Sequence, residues 1–232
     1  MQARALPASA APVAALDVES RAAFIWRTYG HLAAAILAFG AIETWLFETG
    51  YAERIAQAML GVNWLLILGA FMIVGWLAGH TAHRVESRPM QYLALAAFVV
   101  AQSIIFVPLL YIALRLQPAI IESAAGVTLL GVAGLTAVAF ITRKDFSFLR
   151  GILVWAGILA LVAIVSSVLF GFHLGTWFSV AMIGFAGAAV LYDTSNILHH
   201  YPEDRHVAAA LELFGSIALM FWYVLQLFMS RE

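Results

Sequence analysis

Asp193 and Glu212 are carboxylates set in stretches that are otherwise almost wholly apolar, AVLYDTSNILHH for the first and VAAALELFGSIALMF for the second. A carboxylate at the centre of a membrane span costs roughly 2.5–3.5 kcal/mol on insertion scales and normally faces the protein interior. The spacing relates the two. Asp193 lies six residues before His199 and Glu212 six after His206. On two antiparallel helices joined by the intervening segment, each would sit about 9 Å in from the same end. Facing each other at low dielectric, the two cannot both ionise easily, so one proton would be shared and the pair would respond to pH. Ser216, one turn beyond Glu212 on the same helix face, would add a hydroxyl. The plainer alternative is that Asp193 bonds to Thr194, Ser195 or a backbone group and only ties helices together.

The remaining polar groups point less clearly to chemistry. Glu43, in FGAIETWLF, lies near the end of the first apolar run, where it is expected to reach the lipid headgroups. His199, His200 and His206 cluster with Glu203 and Asp204, but their spacing matches no known ligand pattern. His80 and His83 share a helix face before Arg84 and are expected at the interface, with His80 the candidate pH sensor. Ser216 has no His or Lys at matching depth to serve as its base, and no GxSxG motif occurs, so the chain is not expected to be an enzyme. No cofactor is expected.

The elements that position these groups follow from composition. The 232 residues are 64% hydrophobic and 11% charged, against roughly 45–50% and 25% in soluble domains. Water cannot be the main solvent. Net charge is −1 with no long basic run, which removes nucleic acid as a partner, and the absence of cysteine excludes disulfides and thiol chemistry. Continuous apolar runs, each long enough to cross a ~30 Å hydrocarbon core, fall near 25–47, 62–82, 90–114, 118–141, 151–171, 175–198 and 207–229. The fold class expected is therefore all-α, a polytopic membrane bundle of seven transmembrane helices with short connections; the last run crosses or re-enters. The small-residue pairs Gly75/Gly79 and Gly184/Ala188 suit close helix approach.

Nine of the twelve Lys and Arg fall on one side if the N-terminus is cytoplasmic, and Arg54, Arg115 and Arg231 on the other. Residues 1–22, Ala- and Pro-rich at first, are expected to be a flexible cytoplasmic tail ahead of a single domain over 23–232.

Three segments in order, RTYGHLAAAILAFGAI, ITRKDFSFLRGIL and YDTSNILHH followed by VAAALELFGSIALMF, resemble the Bax inhibitor-1 (TMBIM) family of membrane proteins, in particular the bacterial branch typified by the modulator of the membrane AAA protease FtsH. The resemblance implies six helices around a central seventh and a bacterial inner-membrane location. It also implies a pair of buried aspartates that hold a proton between them and gate a calcium leak. Asp193 matches the first aspartate. The second position falls on Ser216, so the pair is incomplete, and calcium, which takes 6–8 oxygen ligands, would bind weakly unless Glu212 contributes. An Arg on the second span of some members corresponds to His80. Two functions are therefore expected in competition: a pH-sensitive cation pathway, with calcium the ion, and a regulator of a membrane AAA protease.

Overall fold

The computed structural model describes residues 12–230, and their regular structure is helical. Eight α-helices follow in order: α1 (Val18–Glu48), α2 (Tyr51–Leu60), α3 (Trp64–Arg84), α4 (Arg88–Leu116), α5 (Ala119–Thr142), α6 (Leu149–Phe170), α7 (Gly175–His199) and α8 (His206–Met229). All but α2 are long and apolar enough to cross a membrane. The expected spans match these seven to within a few residues, apart from the start of α1. That helix begins at Val18 because the Asp17 side chain accepts hydrogen bonds from the Glu19 and Ser20 amides, both at 3.0 Å, and caps it.

Sequence reading placed a plain connection where α2 stands. Gly50, at φ 77°, turns the chain after α1. The ten residues that follow span only about 15 Å, too short to cross. Ala52 and Ala56 are buried on one face of α2 while Glu53, Arg54 and Gln57 stay exposed on the other. Tyr111 of α4 donates to Glu53 at 3.0 Å and fixes the short helix against the bundle.

α8 is a continuous helix of 24 residues, about 36 Å long, long enough to cross and without a break at which a re-entrant segment would turn back. Its partner α7 runs antiparallel along its whole length. Ser216 bonds Asp193 toward one end, and Thr176 at the start of α7 donates to Ser230 past the end of α8, at 3.4 Å. α8 packs against α1, α3, α4, α5 and α7 and is the central helix; α6 leans chiefly on α7 and buries none of its residues.

Between membrane helices, association rests on close packing rather than on escape from water. The tightest approach falls outside the pairs picked out in the sequence. A Cβ on Gly187 would lie 3.3 Å from Leu135 and 3.5 Å from Met220, whereas Gly79 and Gly184 face open space. A Cβ on Gly75 of α3 or Gly215 of α8 would meet the Phe98 ring at 3.6 or 3.5 Å, ordinary contact distances.

The segment before α1 is not a free tail throughout. The Val13 amide donates to the Tyr201 carbonyl at 2.9 Å, Pro12 pairs with Pro202, and Val13 is fully buried. The expected tail over 1–22 therefore has its later half built into the fold. Residues 1–11, including Arg4, lie outside the described residues, as does Arg231.

Candidate functional site

The end of the bundle that carries the α7–α8 connection gathers ionisable groups, some of which satisfy the ends of α3 and α7. Arg21 donates to the Leu198 carbonyl at the end of α7 at 3.1 Å, while Arg205 and Gln91 both donate to the Val85 carbonyl that follows α3, at 2.7 and 3.0 Å. These contacts supply partners to carbonyls that helix termini leave open. Ser195, fully buried on α7, accepts from the Phe146 amide at 2.8 Å and so pins the α5–α6 connection to α7. At the rim, His200 Nε2 lies 3.0 Å from Asp145 Oδ2. The Ser147 amide, and then His200, hold the Asp145 carboxyl below its ordinary value.

Inside this rim lie the acidic residues. Asp193 is 7% exposed and accepts a hydrogen bond from Ser216 Oγ at 2.6 Å. The neighbours Thr194 and Ser195 do not hold it: Ser195 serves the Phe146 amide, and the buried Thr194 hydroxyl has no partner among the described residues. Of the expected site residues, the structure thus joins Asp193 to Ser216 directly, across the α7–α8 contact.

Glu212, one turn nearer the connection on α8, has different partners. Its Oε1 lies 3.1 Å from His83 Nε2 on α3, and the Tyr201 hydroxyl donates to its Oε2. No hydrogen bond joins Asp193 to Glu212 among those of the described residues. The Glu212 side chain remains 38% exposed, so the layer is graded: Glu212 at the open side, Asp193 behind it. Burial, and then the Glu212 charge, push the Tyr201 phenol well above the usual tyrosine value, so it remains an O–H donor.

On α3 it is His83, and not His80, that reaches Glu212. The His83 Nδ1 faces the Gly79 carbonyl at 2.9 Å and its Nε2 faces Glu212. Both partners are acceptors, so satisfying both requires one more proton than a neutral ring and a carboxylate carry together. His80 is exposed and stacks on Trp76, with ring centroids 5.3 Å apart; it takes no part in the layer. Sequence carried both histidines on one face of α3, but only the rotation of α3 against α8 decides which reaches Glu212. Tyr201 was missed for a related reason: it is a connection residue in HHYPEDRH, turned inward by Val13 and stacked on Phe24 at 6.4 Å.

Glu43 is also placed differently from expectation. It is 7% exposed, and neither carboxyl oxygen has a hydrogen-bond partner among the described residues. It lines a half-open cavity bounded by α1, α4, α5 and α8 instead of standing free at the end of α1.

The chain matches the family described as "Inhibitor of apoptosis-promoting Bax1" over residues 21–232. It is 29% identical to Protein LIFEGUARD 4 of Arabidopsis thaliana, over 92% of this chain and 87% of that one. It is 34% identical to an uncharacterized protein of Pseudomonas aeruginosa, over 51% of this chain and 54% of that protein. To the Modulator of FtsH protease YccA of Escherichia coli K12 it is 31% identical, over 49% of this chain and 52% of that protein. These last two alignments cover about half the length of the curated bacterial relatives. With its seven spanning helices, central α8 and family match over nearly its whole length, the chain belongs to the Bax inhibitor-1 family of integral membrane proteins.

Proposed function

We propose that the protein is a pH-sensitive cation leak pathway, with calcium as the ion carried, and that it has no enzymatic role. The observation that supports this reading is the graded acidic layer: a half-exposed Glu212, then Ser216, then the buried Asp193. A cation entering from the α7–α8 connection would meet Glu212 first and Asp193 one helical turn deeper. Conduction needs sites that bind weakly and in series. Among the described residues no three His, Asp or Glu side chains converge as a metal-holding group, and Asp193 with Ser216 offers too few oxygens for a calcium cage. The arrangement suits passage better than storage.

The pH dependence is assigned to two places. Asp193 must be ionised to attract a cation, and the proton held between His83 and Glu212 ties α3 to α8. Arg205 and Tyr201 are the other ionisable groups at this layer; Arg205 is committed to the Val85 carbonyl and to Asp204, at 2.7 and 3.4 Å. Calcium uptake into proteoliposomes, measured from pH about 5 to about 8 where histidine titrates, tests the proposal. Wild-type protein is expected to pass calcium in a pH-dependent manner. Asp193→Asn should flatten that profile, His83→Gln should shift it, and His80→Gln should leave it alone. No flux in the wild type, or an unaltered profile in Asp193→Asn, overturns the mechanism.

A second reading, regulation of a membrane AAA protease, is supported by the relative named for modulating FtsH protease. The docked segment at Val13 gives it a physical handle, since a pull on residues 1–11 would be transmitted through Val13 to Tyr201 and Glu212. Deleting residues 1–11 leaves the Val13 anchor and the Asp17 cap in place. On this reading the deletion should reduce co-purification with an FtsH-type protease and shorten the lifetime of that protease's membrane substrates. Unchanged co-purification and lifetimes would remove it.

A further inference from the structure

The Asp193 layer leaves one buried acid unused. Glu43 of α1 opens onto a cavity of about 320 Å³ walled by α1, α4, α5 and α8, in which Asp193, Glu212 and Ser216 take no part. Phe39, Leu110, Leu129 and Phe221 give it an almost wholly apolar wall. The volume lies at the lower end of the range of small-molecule sites, and the combination of apolar walls with one placed polar group is how such sites are built.

Nothing within the described residues satisfies the carboxyl. Both Glu43 oxygens are unpartnered, and the side chain is 93% buried, being 7% exposed. The two hydroxyls in the wall are already committed as donors to their own helices: Thr44 donates to the Gly40 carbonyl at 2.8 Å and Thr128 to the Ala124 carbonyl at 2.7 Å. Leaving a carboxyl unmet in an apolar cavity is costly. A lipid acyl chain would fill the space but leave both oxygens as they are. An alcohol offers a single donor. An ammonium group offers three, together with the opposite charge, and the Thr44 and Thr128 oxygens remain free to accept.

We propose that this cavity binds an amphiphilic primary amine, its ammonium group held by Glu43 and its apolar body among Phe39, Leu110, Leu129 and Phe221. The site is independent of the cation pathway and stands whether or not that pathway conducts.

Dodecylamine is a suitable probe, with dodecanol as the uncharged comparison. Binding of tritiated dodecylamine to the full-length protein in nanodiscs, corrected for empty nanodiscs, should saturate at one molecule per chain and resist competition by dodecanol. Because a charge-assisted hydrogen bond is lost, Glu43→Gln should weaken binding by at least about tenfold. Gly40→Phe keeps the carboxyl but fills a wall position with open space around it, and should abolish binding. Thermal unfolding in the presence of dodecylamine should rise for the wild type and not for either variant. Equal binding by wild type and Glu43→Gln, equal competition by dodecanol, or no saturable binding above empty nanodiscs would each overturn the proposal. If Glu43→Gln fails to fold, the dodecanol competition and Gly40→Phe still decide the matter.

Discussion

Ser216 stands where the family resemblance expects an aspartate, and its hydroxyl is the only described partner of the Asp193 carboxyl. A hydroxyl at 2.6 Å stabilises one carboxylate but brings no second charge. Ser216→Asp would place two carboxyls in contact, where they share a proton and together offer more oxygens to a cation. Calcium titration of the purified variant should show tighter binding than the wild type, and calcium passage should slow, since a site that holds its ion releases it less readily. Unchanged calcium affinity would show that Glu212 already supplies the second charge. Ser216→Ala tests the other side of the same bond. It strands a buried carboxyl, and thermal unfolding should report a loss of roughly 1–3 kcal/mol.

At the scale of elements, the long apolar runs were legible because membrane spans are written in composition and length, and no tertiary contact is needed to see them. Equal distances from one short connection predict that Asp193 faces Glu212, but Asp193 bonds Ser216, one turn deeper on α8, while Glu212 meets His83 and Tyr201. Rotation about a helix axis is not written in this way, and the placement of the two histidines and of Glu43 traces to it. His80 and His83 lie three residues apart, yet α3 turns one onto Trp76 and the other onto Glu212. Glu43 sits near the end of α1, where an outward turn would have met headgroups, but the packing of α1 on α8 points it into a cavity. α2 escaped notice because Ala52 and Ala56 alternate with Glu53, Arg54 and Gln57, a pattern that reads as a polar connection until α4 covers its small-residue face. Val13 gives no sign of burial in the sequence because its partner, Tyr201, is nearly the whole chain away.

For the molecule as a whole, the distribution of charge sets the side from which protons reach the acidic layer. Arg21, Arg84, Arg88, Arg143, Lys144, Arg150 and Arg205 flank the helix ends that surround Asp193 and Glu212, whereas Arg54 and Arg115 lie with α2 at the opposite end. Positively charged connections are retained in the cytoplasm, so the Glu212 opening is expected to face that side and to respond to cytoplasmic rather than external pH. The cysteine-free sequence makes this directly measurable, because a single introduced thiol has no background. Ser87, exposed just before α4, makes no side-chain cap hydrogen bond, and Gln57 is exposed on α2; neither substitution disturbs the core. In intact cells a membrane-impermeant maleimide should label Gln57→Cys and spare Ser87→Cys until the membrane is permeabilised. The reverse pattern would place Glu212 on the outside, and the pH dependence of calcium passage would then have to follow the external proton concentration.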